Sequence, residues 1–195
     1  MTAGPAQPMP IGERPADEGT EIAVSVRCAG WRNDLPDAAT LSRRATRAVL
    51  AAVGVGDPVE VSLVLADDAF MAKLNRDYRG QDRPTNVLSF RNFDAAPRGP
   101  RAALPHGYAA APTLLGDVVV AYETAAREAS AADRRLADHL CHLVVHGVLH
   151  LLGYDHENDL DAEAMERLEL SILAGLGIAD PYAGEPGGAP DNERP

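Results

Sequence analysis

Cysteines are scarce in this chain, and long apolar runs are absent. Its 195 residues include two cysteines, Cys28 and Cys141. Each falls among apolar neighbours and outside a Cys-x-x-Cys pair, so we expect two small core residues and neither a disulfide nor a cysteine metal site. No run of 18 apolar residues occurs, and the first residues lack the basic start and apolar stretch of a signal peptide. We therefore expect a cytoplasmic protein.

The chain also has few aromatic side chains and fewer basic than acidic residues. Aromatic residues make up 5% of the chain, which is too few for an extended base-stacking platform. A net charge of −11 argues against nucleic-acid binding through bulk positive potential. Residues 71–101, however, hold seven basic and three acidic residues, a local charge of +4 that leaves −15 for the rest. This stretch is either a phosphate-facing patch on an acidic body or a solvated surface.

The hydrophobic content and its periodicity predict one α+β domain. A hydrophobic content of 46% is enough for one well-buried domain. Residues 1–20 and 178–195 are rich in Pro, Gly and Ala, so we expect disordered tails around a domain of residues 21–177. Hydrophobic periodicity predicts strands over about 22–28, 59–65, 86–90 and 114–121, and helices over about 37–53, 67–75, 123–131, 134–152 and 160–176. The expected architecture is a mixed sheet of about four strands packed with helices, with a long loop over residues 91–112.

Three histidines carry the strongest functional signal. His146 and His150 are four residues apart in an apolar stretch that predicts a helix, so they share one face. Gly153 is the residue type that ends a helix and folds the chain back, which would bring His156 to the same point. The alternative for the first two is a pair of packed structural histidines.

Three neutral imidazoles at about 2.1 Å, with the fourth position open to water, describe a catalytic zinc site with one Zn²⁺ per chain. Zinc lowers the pKa of the water it binds to about 7, so the expected chemistry is hydrolysis. Imidazole also suits copper, nickel and iron, and zinc is the metal we expect.

The same histidine spacing occurs in the metzincin protease pattern H-E-x-x-H-x-x-G-x-x-H. Gly147 stands where the protease carries the glutamate that acts as general base. A standard zinc protease is therefore disfavoured, and a metzincin-like hydrolase or peptidase without that glutamate is kept as one alternative.

The histidine run resembles that of the YbeY endoribonucleases, also called rRNA maturation factors. Their hallmark H-G-x-L-H-L-x-G-Y-D-H is matched at every fixed position from His146 to His156. Residues 74–90 are similar to the family's L-N-x-x-Y-R-x-x-D-x-P-T-D-V-L-S-F, with Asn86 where the family usually has Asp. Residues 115–120 resemble its strand L-G-D-I-x-I. Together the resemblance spans about residues 20–176.

The resemblance implies a zinc-dependent, single-strand-specific endoribonuclease with the same α+β fold. Such an enzyme acts in 3′-end maturation of small-subunit (16S) rRNA, in rRNA processing and in ribosome quality control. The expected partners are single-stranded or ribosomal RNA, the small ribosomal subunit with its proteins, and an assembly GTPase, with neither DNA nor a membrane. The non-enzymatic alternative is a ribosome-assembly factor whose zinc site is structural.

Arg79 and Asp155 are the candidate catalytic residues. Arg79 matches the family's arginine at the active cleft, where a guanidinium would hold a phosphate and offset the charge that develops on it. Asp155 either orients a ligand imidazole by accepting its second N–H or caps the following turn. Proton handling stays open among the metal hydroxide, Asp155 and the RNA 2′-hydroxyl acting as an internal nucleophile. His142 shares the face of His146 and is expected to be a partly buried structural histidine.

Overall fold

The computed structural model describes residues 19–55, 58–92, 112–155 and 159–182. Within these ranges the elements are β1 (Glu21–Val26), α1 (Ala29–Asp34), α2 (Ala38–Val53), β2 (Val59–Ala66), α3 (Asp68–Arg79), β3 (Val87–Arg91), β4 (Thr113–Ala121), α4 (Tyr122–Ala131), α5 (Leu136–Leu151) and α6 (Asp159–Gly175). The predicted α+β class is confirmed. Residues 1–18 of the predicted N-terminal tail and residues 93–111 of the predicted loop 91–112 lie outside the described residues. No helix in the described ranges is long and apolar enough to cross a bilayer.

The four described strands form one mixed sheet in the order β1-β2-β4-β3. β1, β2 and β4 are parallel neighbours, and β3 pairs antiparallel with β4 at the edge. The alternation that predicted β2 is borne out, because its residues Val59, Val61, Leu63 and Leu65 are all buried.

Helices cover both faces of this sheet. The larger core cluster joins residues of β1, β2 and β4 to α2, α5 and α6, and it includes Val118. The smaller cluster joins Met71 of α3 to Leu88 and Val119. Because successive strand residues point to opposite faces, Val118 and Val119 place α5 on one face and α3 on the other.

α5 lies unusually close to the sheet at Gly147. A Cβ built on this glycine would lie 2.6 Å from Cγ1 of Val118 and 3.1 Å from Oγ of Ser89. The Ser89 hydroxyl donates a hydrogen bond to the Gly147 carbonyl at 3.0 Å. The glycine therefore lets the helix pack directly on β3 and β4, which fixes the position of the histidines on either side of it.

α1 was not predicted from the sequence. Its N-cap is Cys28, whose sulfur accepts a hydrogen bond from the Gly30 amide. It buries Trp31 completely, and the indole N–H donates to the Ala66 carbonyl at 3.1 Å. The helix has six residues, which is too short for a helical period to show in the sequence.

α3 extends beyond its predicted end at residue 75. It continues to Arg79 and stops at Gly80, which adopts the left-handed conformation with φ +69°. The two residues before Gly80 are exposed, so no apolar period marks this last turn.

The described chain also runs into the stretch 178–195 that the sequence assigns to a C-terminal tail. Ile178 donates its amide to the Leu173 carbonyl at 2.9 Å and packs against the larger core cluster. Pro181 is buried, and Tyr182 is half-buried. Residues 178–182 therefore contact the domain.

Candidate metal centre

His146 and His150 meet on the inner face of α5, as their spacing predicts. Their Nε2 atoms are 3.0 Å apart, and their ring centroids are 4.6 Å apart. Two imidazole nitrogens bound at about 2.1 Å to one tetrahedral ion lie about 3.4 Å apart. A small rotation of either ring is enough to reach that separation, so the pair fits a shared metal ion. His146 is buried, whereas His150 is partly exposed.

The chain leaves α5 through the turn that the sequence predicts. Gly153 has φ +87°, and the Tyr154 amide bonds to the Leu149 carbonyl at 3.1 Å. This is the left-handed helix ending that folds the backbone back toward the helix. His156, the third predicted ligand, lies outside the described residues. Among the residues that are described, His, Cys, Asp and Glu side chains form no group of three that would hold a metal.

Glu169 of α6 determines which nitrogen of His146 faces His150. Its Oε1 lies 2.7 Å from Nδ1 of His146, and its side chain is 1% exposed. When Nδ1–H donates to this carboxylate, a neutral His146 keeps the lone pair on Nε2. Nε2 is the atom that faces His150, so the carboxylate sets the tautomer that a metal ligand needs.

The surroundings of Glu169 keep it ionised and keep its neighbour neutral. Burial by itself raises the pKa of the Glu169 carboxyl, but hydrogen bonds to His142 and His146 outweigh that effect, so the pKa lies well below its usual range. Burial lowers the pKa of His142, whose Nε2 is 3.7 Å from Oε2 of Glu169. The site therefore holds one buried negative charge directly behind a candidate ligand.

The two candidate catalytic residues lie on different elements. Arg79 is exposed at the C-terminal end of α3. Its neighbour Tyr78 contacts Phe90 with ring centroids 4.9 Å apart, which places this end of the helix at the edge strand β3. Asp155 is exposed in the segment that follows Gly153.

A second arginine borders the turn after α5. The guanidinium of Arg91, at the end of β3, lies 3.1 Å from the point where a Cβ on Gly153 would be. From the sequence alone, Arg91 is only one member of the local positive stretch. Its contact with Gly153 depends on how α5 packs against β3.

Comparison with known proteins identifies the family. A family model described as Endoribonuclease YbeY matches residues 29–177. The chain belongs to the YbeY family. It is similar to the endoribonuclease YbeY of Paramagnetospirillum magneticum, with 53% identity over 83% of this chain and 95% of that protein. It is also similar to the endoribonuclease YbeY of Rhodospirillum rubrum, with 48% identity over 94% of each chain.

The fold is also found in a solved structure. The solution structure of TM1509 from Thermotoga maritima covers 87% of this chain and 99% of its own, with a TM-score of 0.50 and 22% identity. At that identity the likeness concerns the fold alone.

Sequence reasoning on this YbeY chain missed Glu169. The sequence contains a signal for it, because Glu169 lies one helical turn from both Met165 and Ile172 on the buried face of α6. A carboxylate in the apolar stripe of a helix indicates a buried partner. Asp155 was the acidic residue considered for orienting a ligand, and the structure gives that contact with His146 to Glu169.

Proposed function

We propose that this chain is a zinc-dependent endoribonuclease that cleaves single-stranded RNA. The observation that carries the proposal is the pair of Nε2 atoms of His146 and His150, 3.0 Å apart, backed by the buried carboxylate of Glu169. Relatives at 53% and 48% identity are named endoribonuclease YbeY, which supports RNA as the substrate.

His146, His150 and His156 are the residues proposed to hold one Zn²⁺. The tautomer set by Glu169 and the left-handed turn at Gly153 both suit this ligand set. When bound, zinc would act as a Lewis acid and would lower the pKa of its water to about 7, so that hydroxide is available at neutral pH.

Arg79 is proposed to bind the phosphate at the cleavage point. Arg79 is an exposed residue at the C-terminal end of α3, and a guanidinium is a planar fork that matches two phosphate oxygens. A fixed positive charge there stabilises the extra negative charge that the phosphate gains as the nucleophile attacks. Asp155 is exposed in the segment after α5, and we propose that it accepts the proton of the nucleophile.

The biological role that we propose is 3′-end maturation of 16S rRNA, rRNA processing and ribosome quality control. A protein with a net charge of −11 is steered only weakly toward RNA by long-range attraction. Delivery by a protein partner offsets this weakness, so we propose contacts with small-subunit ribosomal proteins and an assembly GTPase.

The structure gives a physical reason against the peptidase alternative. A side chain at position 147 would start 2.6 Å from Val118 and point into the sheet. A glutamate at position 147, where metzincins carry the general base, would therefore collide with the sheet.

The proposal is tested by cutting a labelled single-stranded RNA with purified variants at equal folded concentration. We expect His150→Ala to lose both bound zinc and cleavage, and Arg79→Ala to keep zinc and lose cleavage. Arg76→Ala is the matched control, because Arg76 is exposed on the same helix and pairs with Asp77 and Asp82. We expect it to cleave like the wild type.

Two outcomes would contradict the proposal. Undiminished cleavage by His150→Ala at equal folded concentration would show that the histidine pair is not the reactive centre. Normal zinc content with no cleavage by the wild type, on single-stranded RNA and on rRNA precursors, would favour the assembly factor with a structural zinc site.

A further inference from the structure

Residues 178–182 lie beyond the family match, which ends at residue 177, yet they pack beside the candidate metal centre. Ile178 bonds to the end of α6 and packs on the core. The guanidinium of Arg134 donates to the Pro181 carbonyl, and the Tyr182 amide donates to Oδ1 of Asp180 at 2.7 Å. These bonds fix the path of the segment and bring the Tyr182 ring inward.

Tyr182 reaches the carboxylate that supports His146. Its hydroxyl donates a hydrogen bond to Oε2 of Glu169, and its oxygen lies 3.3 Å from Nε2 of His142. The other carboxylate oxygen, Oε1, faces Nδ1 of His146 at 2.7 Å. Glu169 is thus held at both oxygens, one by the C-terminal segment and one by a candidate ligand.

We infer that Tyr182 and Glu169 are positioning residues of the metal centre, and that residues 178–182 act as a strap that aligns Glu169 on His146. The inference rests on the proposed zinc site. A glutamate side chain has three rotatable bonds, and the tyrosine hydroxyl removes that freedom by fixing one oxygen. The aligned carboxylate then holds the imidazole with its Nε2 lone pair toward His150.

Two pairs elsewhere in the chain have the same chemistry without contact to the candidate ligands. Glu128 of α4 lies 2.9 Å from Nε2 of His139, which is buried two turns before His146 on α5. The Tyr122 hydroxyl donates to Asp34, a tyrosine–carboxylate pair between α4 and α1. Removing either one tests the general effect of losing such a bond.

The experiment is zinc affinity of the full chain, measured by competition with a chelator of known affinity. Glu169→Gln and Tyr182→Phe are compared with their controls Glu128→Gln and Tyr122→Phe. We expect Glu169→Gln to weaken zinc binding by about 10-fold to 100-fold, the usual effect of losing the outer partner of a ligand histidine. Tyr182→Phe acts only through Glu169, so we expect a smaller weakening that still exceeds about threefold. We expect both controls to stay within about threefold of the wild type.

Thermal melting with and without zinc separates positioning from simple stabilisation. A positioning role shrinks the rise in melting temperature that zinc produces, since that rise depends on affinity. A merely structural role lowers the melting temperature equally in both conditions. If the wild type binds zinc and the Tyr182→Phe variant binds it with the same affinity, the inference is overturned and the proposed zinc site stands. A wild type that binds no zinc would overturn the zinc site itself.

Discussion

Gly147→Ala adds one methyl group where α5 packs closely on the sheet, and so tests that close packing. In an exposed helix interior, Gly→Ala stabilises by about 1 kcal/mol. Here the added Cβ would lie 2.6 Å from Cγ1 of Val118, which is fully buried and β-branched, so it cannot rotate away cheaply. Overpacking of this kind costs about 1–3 kcal/mol. With a cost near the upper end, we expect Gly147→Ala to lower the free energy of unfolding by about 1–2 kcal/mol.

Urea denaturation of the metal-free protein measures this change. Gly175→Ala is the matched control, because Gly175 is also helical and an added Cβ would meet nothing within 4 Å. We expect the control to be as stable as the wild type or up to about 1 kcal/mol more stable. Val118→Ala should relieve the contact, so the double variant should lose less stability than the two single changes added together.

A Gly147→Ala protein that is as stable as the Gly175→Ala control would refute this reasoning. It would show that the helix can move away from β4 without cost. Zinc affinity supplies a second reading, because His146 is the adjacent residue and any shift of the helix at Gly147 displaces it.

Three further predictions concern residues outside the metal centre. Burial raises the pKa of Cys141 to about 11, so its thiol stays protonated at pH 8 and iodoacetamide should label it only as fast as the protein unfolds. Labelling at the rate of an exposed cysteine would contradict this burial. Trp31→Phe removes the indole donor from a buried carbonyl and should cost about 1–3 kcal/mol in urea denaturation, while a loss near zero would contradict that bond. Asn86→Asp replaces the amide that donates to Glu128 at 3.1 Å by a second carboxylate. We expect a loss of about 1–3 kcal/mol at pH 7 that shrinks as the pH falls toward about 4, where carboxylates take up protons, and equal stability at both pH values would contradict it.

Most of the fold was readable from the sequence because its elements have clear periods. The strand over 59–65 alternates strictly, since one face of β2 is buried along its whole length. Helix α2 was predicted over about 37–53 and ends at the left-handed Gly54. The order of strands in the sheet and α1 were not readable, because the order depends on crossover packing and α1 has only six residues.

The candidate site was readable only where it is local in sequence. His146 and His150 are four residues apart on one helix, so their meeting follows from helix geometry. Glu169 comes from another helix, 23 residues after His146, and Tyr182 comes from the segment assigned to a tail. Their contacts are set by how α6 and its C-terminal extension pack on α5, which no short-range pattern records.

We propose that this chain cuts RNA with a zinc ion held by its histidines. The most direct measurement is RNA cleavage by metal-depleted wild-type protein as Zn²⁺ is added back, with metal content determined at each step. We expect no cleavage without metal, and cleavage that rises and saturates at about one Zn²⁺ per chain. Full cleavage by protein that holds less than about a tenth of a zinc ion per chain would contradict it.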